Sequence, residues 1–231
     1  MPSNLEFSGC TISSYDCKCF DTLTEEEKKL IENASVQINY KKGEMICKQG
    51  GFVSQIMYME RGLAKVYIDN GCNSLLLRLI PDGSFIGLSA VSEEFITFPY
   101  SAKVYVDSVI RQVDVNIFKQ IIQSNNKFAR EIINILSANS VQIYGRFFCL
   151  TYKQAYGRLA DIILCLAERI FKQNEFELPL SRKDIAELSG MSSETVVRML
   201  KKFGEDGLIR MDGKQIEVID TERLQRISQT G

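Results

Sequence analysis

Residues Leu180 to Ile209 read LSRKDIAELSGMSSETVVRMLKKFGEDGLI, and the punctuation inside this stretch decides how the C-terminal third of the chain folds. Ser181 stands where a helix N-cap belongs, and Asp184 follows three residues later, a carboxylate variant of the capping box. Gly190 can take the left-handed conformation that ends a first helix and turns the chain. Ser192 then caps a second helix, and Glu194 in its first turn suits the positive end of the helix dipole. The pattern predicts two short helices folded back on each other around one glycine.

The second helix divides into two faces. Val196, Met199, Leu200 and Phe203 fall together and form a buried stripe, while Ser193, Glu194, Val197, Arg198 and Lys201 fall opposite. Glu194 and Arg198 are four apart, the spacing of an ordinary surface ion pair. An exposed valine beside them is unusual on a face that only solvates. In a major groove the same types have uses: arginine on guanine O6 and N7, glutamate on a cytosine amino group, a small apolar group against a thymine methyl. Ser193, Glu194, Val197 and Arg198 are therefore the candidate base-reading residues. Arg182, Lys201 and Lys202 are candidate phosphate contacts, with backbone N–H groups at the helix starts of Ser181 and Ser192 as further donors. Downstream, LIRMDGKQIEVI reads as two short strands around Asp212-Gly213.

From about Val36 to Val115 short apolar, β-branched and aromatic runs alternate with turn signals such as KKGE, DNG and PDGS, the pattern of a small antiparallel barrel or roll. Ahead of it, LTEEEKKLIENA reads as a short helix with Thr24 and Glu27 in capping-box register. After Asn116 the spacing becomes helical. Ala129, Ile132, Leu136, Asn139, Ile143, Arg146 and Leu150 alternate by three and four residues, the heptad seam of a helix that meets another helix. Packing on the chain's own roll competes with that reading, since Phe128, Ile133 and Phe147 widen the apolar surface. Asn139 and Arg146 in the seam favour a semi-polar, register-controlling interface between two copies. A further amphipathic helix, YGRLADIILCLAERIF, precedes the opening stretch. The expected domains are residues 1–116, 117–150 and 151–231.

Composition narrows the function classes. The 231 residues are 45% hydrophobic and 25% charged, ordinary globular values. No apolar run reaches the roughly 18–20 residues of a membrane span and no signal peptide is visible, so a cytoplasmic protein without a membrane partner is expected. Seven cysteines at irregular spacing argue for mostly reduced thiols. There is no histidine, which removes the commonest general base and metal ligand. No nucleophile–base pair, phosphate loop or metal constellation stands out, and an enzyme is not expected. From Thr151 onward thirteen Lys and Arg balance thirteen Asp and Glu, so the positive groups matter by their clustering.

A glycine-punctuated roll, a dimer-like helix, then SSETVVRMLKKFGEDGLI and a basic hairpin resemble the cyclic-AMP receptor protein and fumarate–nitrate regulator (CRP/FNR) family of bacterial transcription regulators, from about Phe20 onward. The resemblance implies an α+β chain: an N-terminal cyclic-nucleotide-binding-like antiparallel β-roll, a long dimerisation helix and a C-terminal winged helix-turn-helix. It implies a homodimer on double-stranded DNA, contacts with RNA polymerase, and reading of a TGA-like half-site core by Glu194 and Arg198. Ser193 and Val197 differ from the residues other members place there, so the flanking bases cannot be carried over.

In members that bind cyclic AMP, a glutamate follows FIG and an arginine precedes Ser-Ala. Here Leu88 and Tyr100 stand in those places. A cyclic phosphate buried without a cation is costly, so no tight binding of cyclic AMP is expected. Gly87, Leu88, Ser89, Tyr100 and Ser101 remain a candidate pocket for another effector, and an empty roll kept for its fold is an equal reading. Cys10, Cys17 and Cys19 lie where the oxygen-sensing branch holds iron–sulfur ligands. The fourth ligand position falls near Arg111, with Cys47 or Cys72 as substitutes of different spacing, so no cofactor is the main expectation. A regulatory module that docks its helical tail on a protein partner is the rival to DNA binding.

Overall fold

The computed structural model of the chain describes residues 18–72 and 74–231. Cys10 and Cys17 lie outside them. The chain divides by packing into two compact units that meet at Asn139 and Ser140, inside one long helix.

The N-terminal unit opens with a short turn at Cys19–Thr22 and helix α1 (Glu25–Asn33). The Thr24–Glu27 capping box forms with both hydrogen bonds. Strands β1 (Ser35–Tyr40), β3 (Gln55–Arg61), β6 (Phe85–Ile86) and β8 (Ser108–Asp114) make one sheet in the order β1-β8-β3-β6, and β2 (Met45–Cys47), β4 (Leu63–Asp69), β5 (Ser74–Pro81) and β7 (Ser101–Val104) make another in the order β2-β7-β4-β5. All pairings are antiparallel. Their inward residues, among them Ile56, Met59, Val66, Ile80, Ile86 and Ile110, are almost wholly buried. Helix α2 (Val115–Ser124) is capped by Asp114, whose carboxylate accepts from the Asn116 and Ile117 amides.

Helix α3 (Asn126–Tyr152) starts on Asn125, whose side chain accepts from the Lys127 and Phe128 amides and donates to Glu27 and the Thr22 carbonyl. A run of ring contacts from Phe20 through Tyr58, Phe85 and Phe118 to Phe128, with centroids 4.9–5.9 Å apart, locks α2 and the start of α3 onto the sheet. Aromatic pairs in this range add about 0.5–1.5 kcal/mol each beyond burial.

The expected heptad seam is only partly exposed: Leu136 and Ile143 stand on the surface of α3, and Ile132 and Arg146 do not. Ile132 is buried in the roll core and Arg146 is buried in the C-terminal unit, where desolvation lowers its pKa to about 10. The apolar face left exposed is Ile133, Leu136, Ile143, Tyr144 and Phe147. Phe128 and Ile135 claim the side that Ile132 shares, because these are the residues the roll can cover. Asn139 and Arg146 therefore flank the free face instead of controlling it.

In the C-terminal unit, helix α4 (Ala155–Cys165) continues into a wider π turn over Leu166–Phe171. Strand β9 (Glu175–Glu177), helices α5 (Arg182–Ser189) and α6 (Ser193–Glu205), strands β10 (Ile209–Asp212) and β11 (Gln215–Val218) and helix α7 (Thr221–Thr230) follow. The hairpin turns at Gly213-Lys214, since Asp212 pairs with Gln215. That is one residue later than the Asp-Gly signal suggests. Strand β9 adds a third strand beside β11. Helix α7, capped by Asp220, packs on α4 so closely that a Cβ on Gly157 would lie 2.7 Å from the Gly231 carbonyl oxygen. No helix among the described residues is long and apolar enough to cross a membrane.

Candidate nucleic-acid interface

The helix pair forms as its sequence dictates. Ser181 Oγ accepts from the Asp184 amide at 3.1 Å while Asp184 accepts from the Ser181 amide at 2.9 Å. Gly190 ends α5 at φ 61°, a conformation costly for residues with a Cβ. Ser192 Oγ caps α6 through the Thr195 amide at 3.2 Å. Val196, Leu200 and Phe203 are buried, and Met199 is only half-buried. Phe203 meets Tyr156 of α4 edge-on at 4.5 Å, which fixes the roll of α6 about its own axis.

That roll presents Glu194, Val197, Arg198 and Lys201 to solvent, with Val197 52% exposed, while Ser193 is half-buried at the edge of the face. Glu194 and Arg198 make no ion pair with each other among the described residues; the α6 pairs are Lys201 with Glu205 at 3.8 Å and Lys202 with Asp206 at 2.8 Å. The Glu194 carboxylate is held below its usual range by its own backbone N–H and by the Ser192 hydroxyl, which keeps it an ionised acceptor. Along a helix four residues rise about 6 Å, so Glu194 and Arg198 can address neighbouring base pairs.

A cleft of about 380 Å³ runs between α6 and the β10–β11 hairpin, lined by Arg182, Val197, Leu200, Lys201, Gly204, Ile209, Arg210, Met211 and Gly213. It gathers Arg182, whose pKa burial lowers, with Lys201 and Arg210. Arg210 was not singled out from sequence. Its signal is an outward position on a strand beside a Gly turn, and it leans on Glu217 at 2.7 Å. Lys202 lies on the other flank of α6. Its partner Asp206 also accepts from the Tyr156 hydroxyl at 2.8 Å, so Lys202 ties α6 to α4 as much as it faces outward.

The comparisons fit this geometry. Residues 37–125 match the cyclic nucleotide-binding domain and residues 157–227 the Crp-like helix-turn-helix domain. The electron transport regulator A of Shewanella oneidensis is 26% identical over 94% of this chain and 90% of its own length. The fumarate and nitrate reduction regulatory protein of Escherichia coli is 23% identical over 97% and 93%. The two domain models in this order, together with these relatives, support the CRP/FNR family. Among CRP/FNR structures, FixK2 of Bradyrhizobium japonicum superposes with a TM-score of 0.78 at 20% identity, over 85% of this chain and 98% of that one. A transcriptional regulator of the family from Eubacterium rectale gives 0.75 at 20% identity, over 92% and 98%. Both likenesses speak for the fold.

In the CRP/FNR roll, Leu88 is buried in the short turn after Gly87, and the Gly87 amide donates to the Tyr100 hydroxyl at 3.0 Å. Ser101 is buried, and its hydroxyl accepts from the Gln49 amide at 3.0 Å. Among the described residues, Ser89 Oγ is buried without a partner. A cation not expected near this cassette is present: Arg78 of β5 donates to the Phe85 carbonyl at 3.0 Å, and its charge acts on the Tyr100 hydroxyl. Strand alternation alone could not announce it, because Arg78 reads as one polar residue within SLLLRLI.

The described cysteines do not assemble as a metal set. Cys19 is wholly buried beside the roll core. Cys47 is buried with its pKa pushed up to about 12 by desolvation, and Cys72 is exposed. Arg111, where the resemblance would place a fourth ligand, is bound to Glu60 at 2.6 Å. Among the described residues no three Cys, Asp or Glu could hold a metal ion.

Proposed function

We propose that this chain is a cytoplasmic, homodimeric, sequence-specific DNA-binding transcription regulator that places one α6 in the major groove of each half of a two-fold site. The observation that carries the reading is the outward face of α6, where Glu194 and Arg198 stand exposed and unspent on each other beside an exposed valine. Half-sites would lie about 34 Å apart along the duplex, one helical turn. Glu194 and Arg198 read a TGA-like core, while Arg182, Lys201, Arg210 and the amides after Ser181 and Ser192 hold the backbone. The exposed face of α3 joins the two copies. RNA polymerase is the partner at the promoter, and cyclic AMP is not the controlling ligand because Leu88 supplies no group for a ribose hydroxyl.

Selection of bound sequences from random DNA, followed by a salt series on the winning site, tests the reading. A salt-independent interaction, or none, favours docking on a protein instead. Arg198→Ala is expected to lose about 1–3 kcal/mol of specific binding, roughly 5–150-fold, while binding to random DNA barely changes. Equal losses on both DNAs remove Arg198 from base reading. Lys201→Ala should weaken all sequences alike and reduce the salt slope by about 1.

A further inference from the structure

The packing of α6 does not require a valine at position 197. Val197 is 52% exposed, and the burial of the helix rests on Val196, Leu200 and Phe203. A β-branched side chain is a poorer helix former than Ala, Lys or Glu, so solvation alone would favour one of those. Its surroundings are cationic: the cleft it lines also holds Arg182, Lys201 and Arg210. An apolar spot among cations suits a polyanion that itself carries an apolar spot. On the major-groove edges of DNA that spot is the 5-methyl group of thymine, set among polar donors and acceptors.

Helix geometry separates its target from that of its neighbour. At 3.6 residues per turn, Val197 lies about 60° to one side of Glu194 and Arg198 about 40° to the other, so the two address different bases. A helical valine keeps essentially one χ1 rotamer, and its two methyl groups are held in place before any DNA arrives. Thirteen Lys and Arg against thirteen Asp and Glu from Thr151 onward leave the unit little attraction from net charge, which gives short-range contacts to the bases more weight. We propose that Val197 makes recognition depend on a pyrimidine 5-methyl group beside the pair read by Glu194 and Arg198. Thymine supplies that group, and so does 5-methylcytosine, so a site with cytosine at that place is bound more tightly when methylated. This dependence presupposes α6 in the major groove, the reading proposed above.

The full chain is titrated by fluorescence anisotropy, at fixed ionic strength, against the site selected from random DNA. Each thymine of the half-site is replaced in turn, in both halves, by deoxyuridine, which removes the methyl group alone. At one thymine binding should weaken roughly threefold to fivefold per half-site, the factor for one buried methyl group. The same position should distinguish 5-methylcytosine from cytosine by a similar factor. Val197→Ala keeps a good helix former and shortens the side chain. It should bind the thymine and deoxyuridine sites alike, and the methylated and unmethylated cytosine sites alike. A half-site without a methyl-sensitive pyrimidine, or a methyl preference that Val197→Ala retains in full, overturns the assignment. Such a result with Arg198→Ala still losing specific binding leaves the reading of α6 intact, whereas failure to select any sequence removes both.

Discussion

Aspartate at both Ile143 and Phe147 is expected to leave a folded chain that no longer dimerises and has lost about 10²–10⁴-fold in affinity for a two-fold site, the usual gain from linking two binding events. The two side chains are 62% and 71% exposed on α3. Among the described residues nothing buries them, and exposed substitutions of this kind usually change stability by within about 0.5 kcal/mol. In a helix–helix seam the same positions are desolvated, and two facing pairs of carboxylates would repel. Light scattering should report a monomer, circular dichroism an unchanged fold, and anisotropy an affinity near that of wild type for an isolated half-site. A variant that stays dimeric locates the interface elsewhere. Arg146→Ala sharpens the assignment. If Arg146 sat in the seam it would alter dimerisation, but buried as it is in the C-terminal unit it should change the melting of that unit and leave the dimer constant alone.

The burial of Ile132 and Arg146 out of that seam shows where reading a sequence stops. Spacings of three and four mark a helical stripe, but a stripe broadened by Ile133 and Phe147 fits two adjacent seams equally well. Which one is free depends on what the roll covers, and only the packing of Phe128, Ile132 and Ile135 decides it. Arg78 hid for a similar reason. A strand's alternation says which face a residue takes, not which loop closes over it. Helix α7 and β9 carry little apolar signal: each fully buries a single residue, Leu224 and Phe176. By contrast the caps at Thr24, Ser181 and Ser192 and the stop at Gly190 were legible because their partners lie within three or four residues. Local chemistry wrote the recognition helix. Its outward face followed from the buried one, and Arg210 entered only when the hairpin folded beside it.

Removing the Asp161 carboxylate is expected to cost the C-terminal unit about 3–5 kcal/mol, the range for stripping one partner from a buried ion pair. Asp161 of α4 is 4% exposed and binds Lys153, 11% exposed, at 2.8 Å; its other oxygen takes the Ser228 hydroxyl of α7. One side chain thus joins the residue after α3, the body of α4 and the last helix. Asp161→Ala leaves the Lys153 ammonium buried and unpaired, and deletes the tie to α7. Hydrogen exchange should quicken in α4 and α7 while the roll keeps its protection. Adding Lys153→Met should recover much of the loss, because a neutral pair removes the orphaned charge. High salt should not imitate the substitution, since a buried pair is screened little. The DNA-reading consequence follows from position: α4 carries Tyr156, which packs on Phe203 and bonds Asp206, so loosening α4 loosens the roll of α6. Specific binding should fall with stability and random-DNA binding much less. A double variant no more stable than Asp161→Ala, or protection lost in the roll and kept in α4, would show that this junction is not what holds the reading head together.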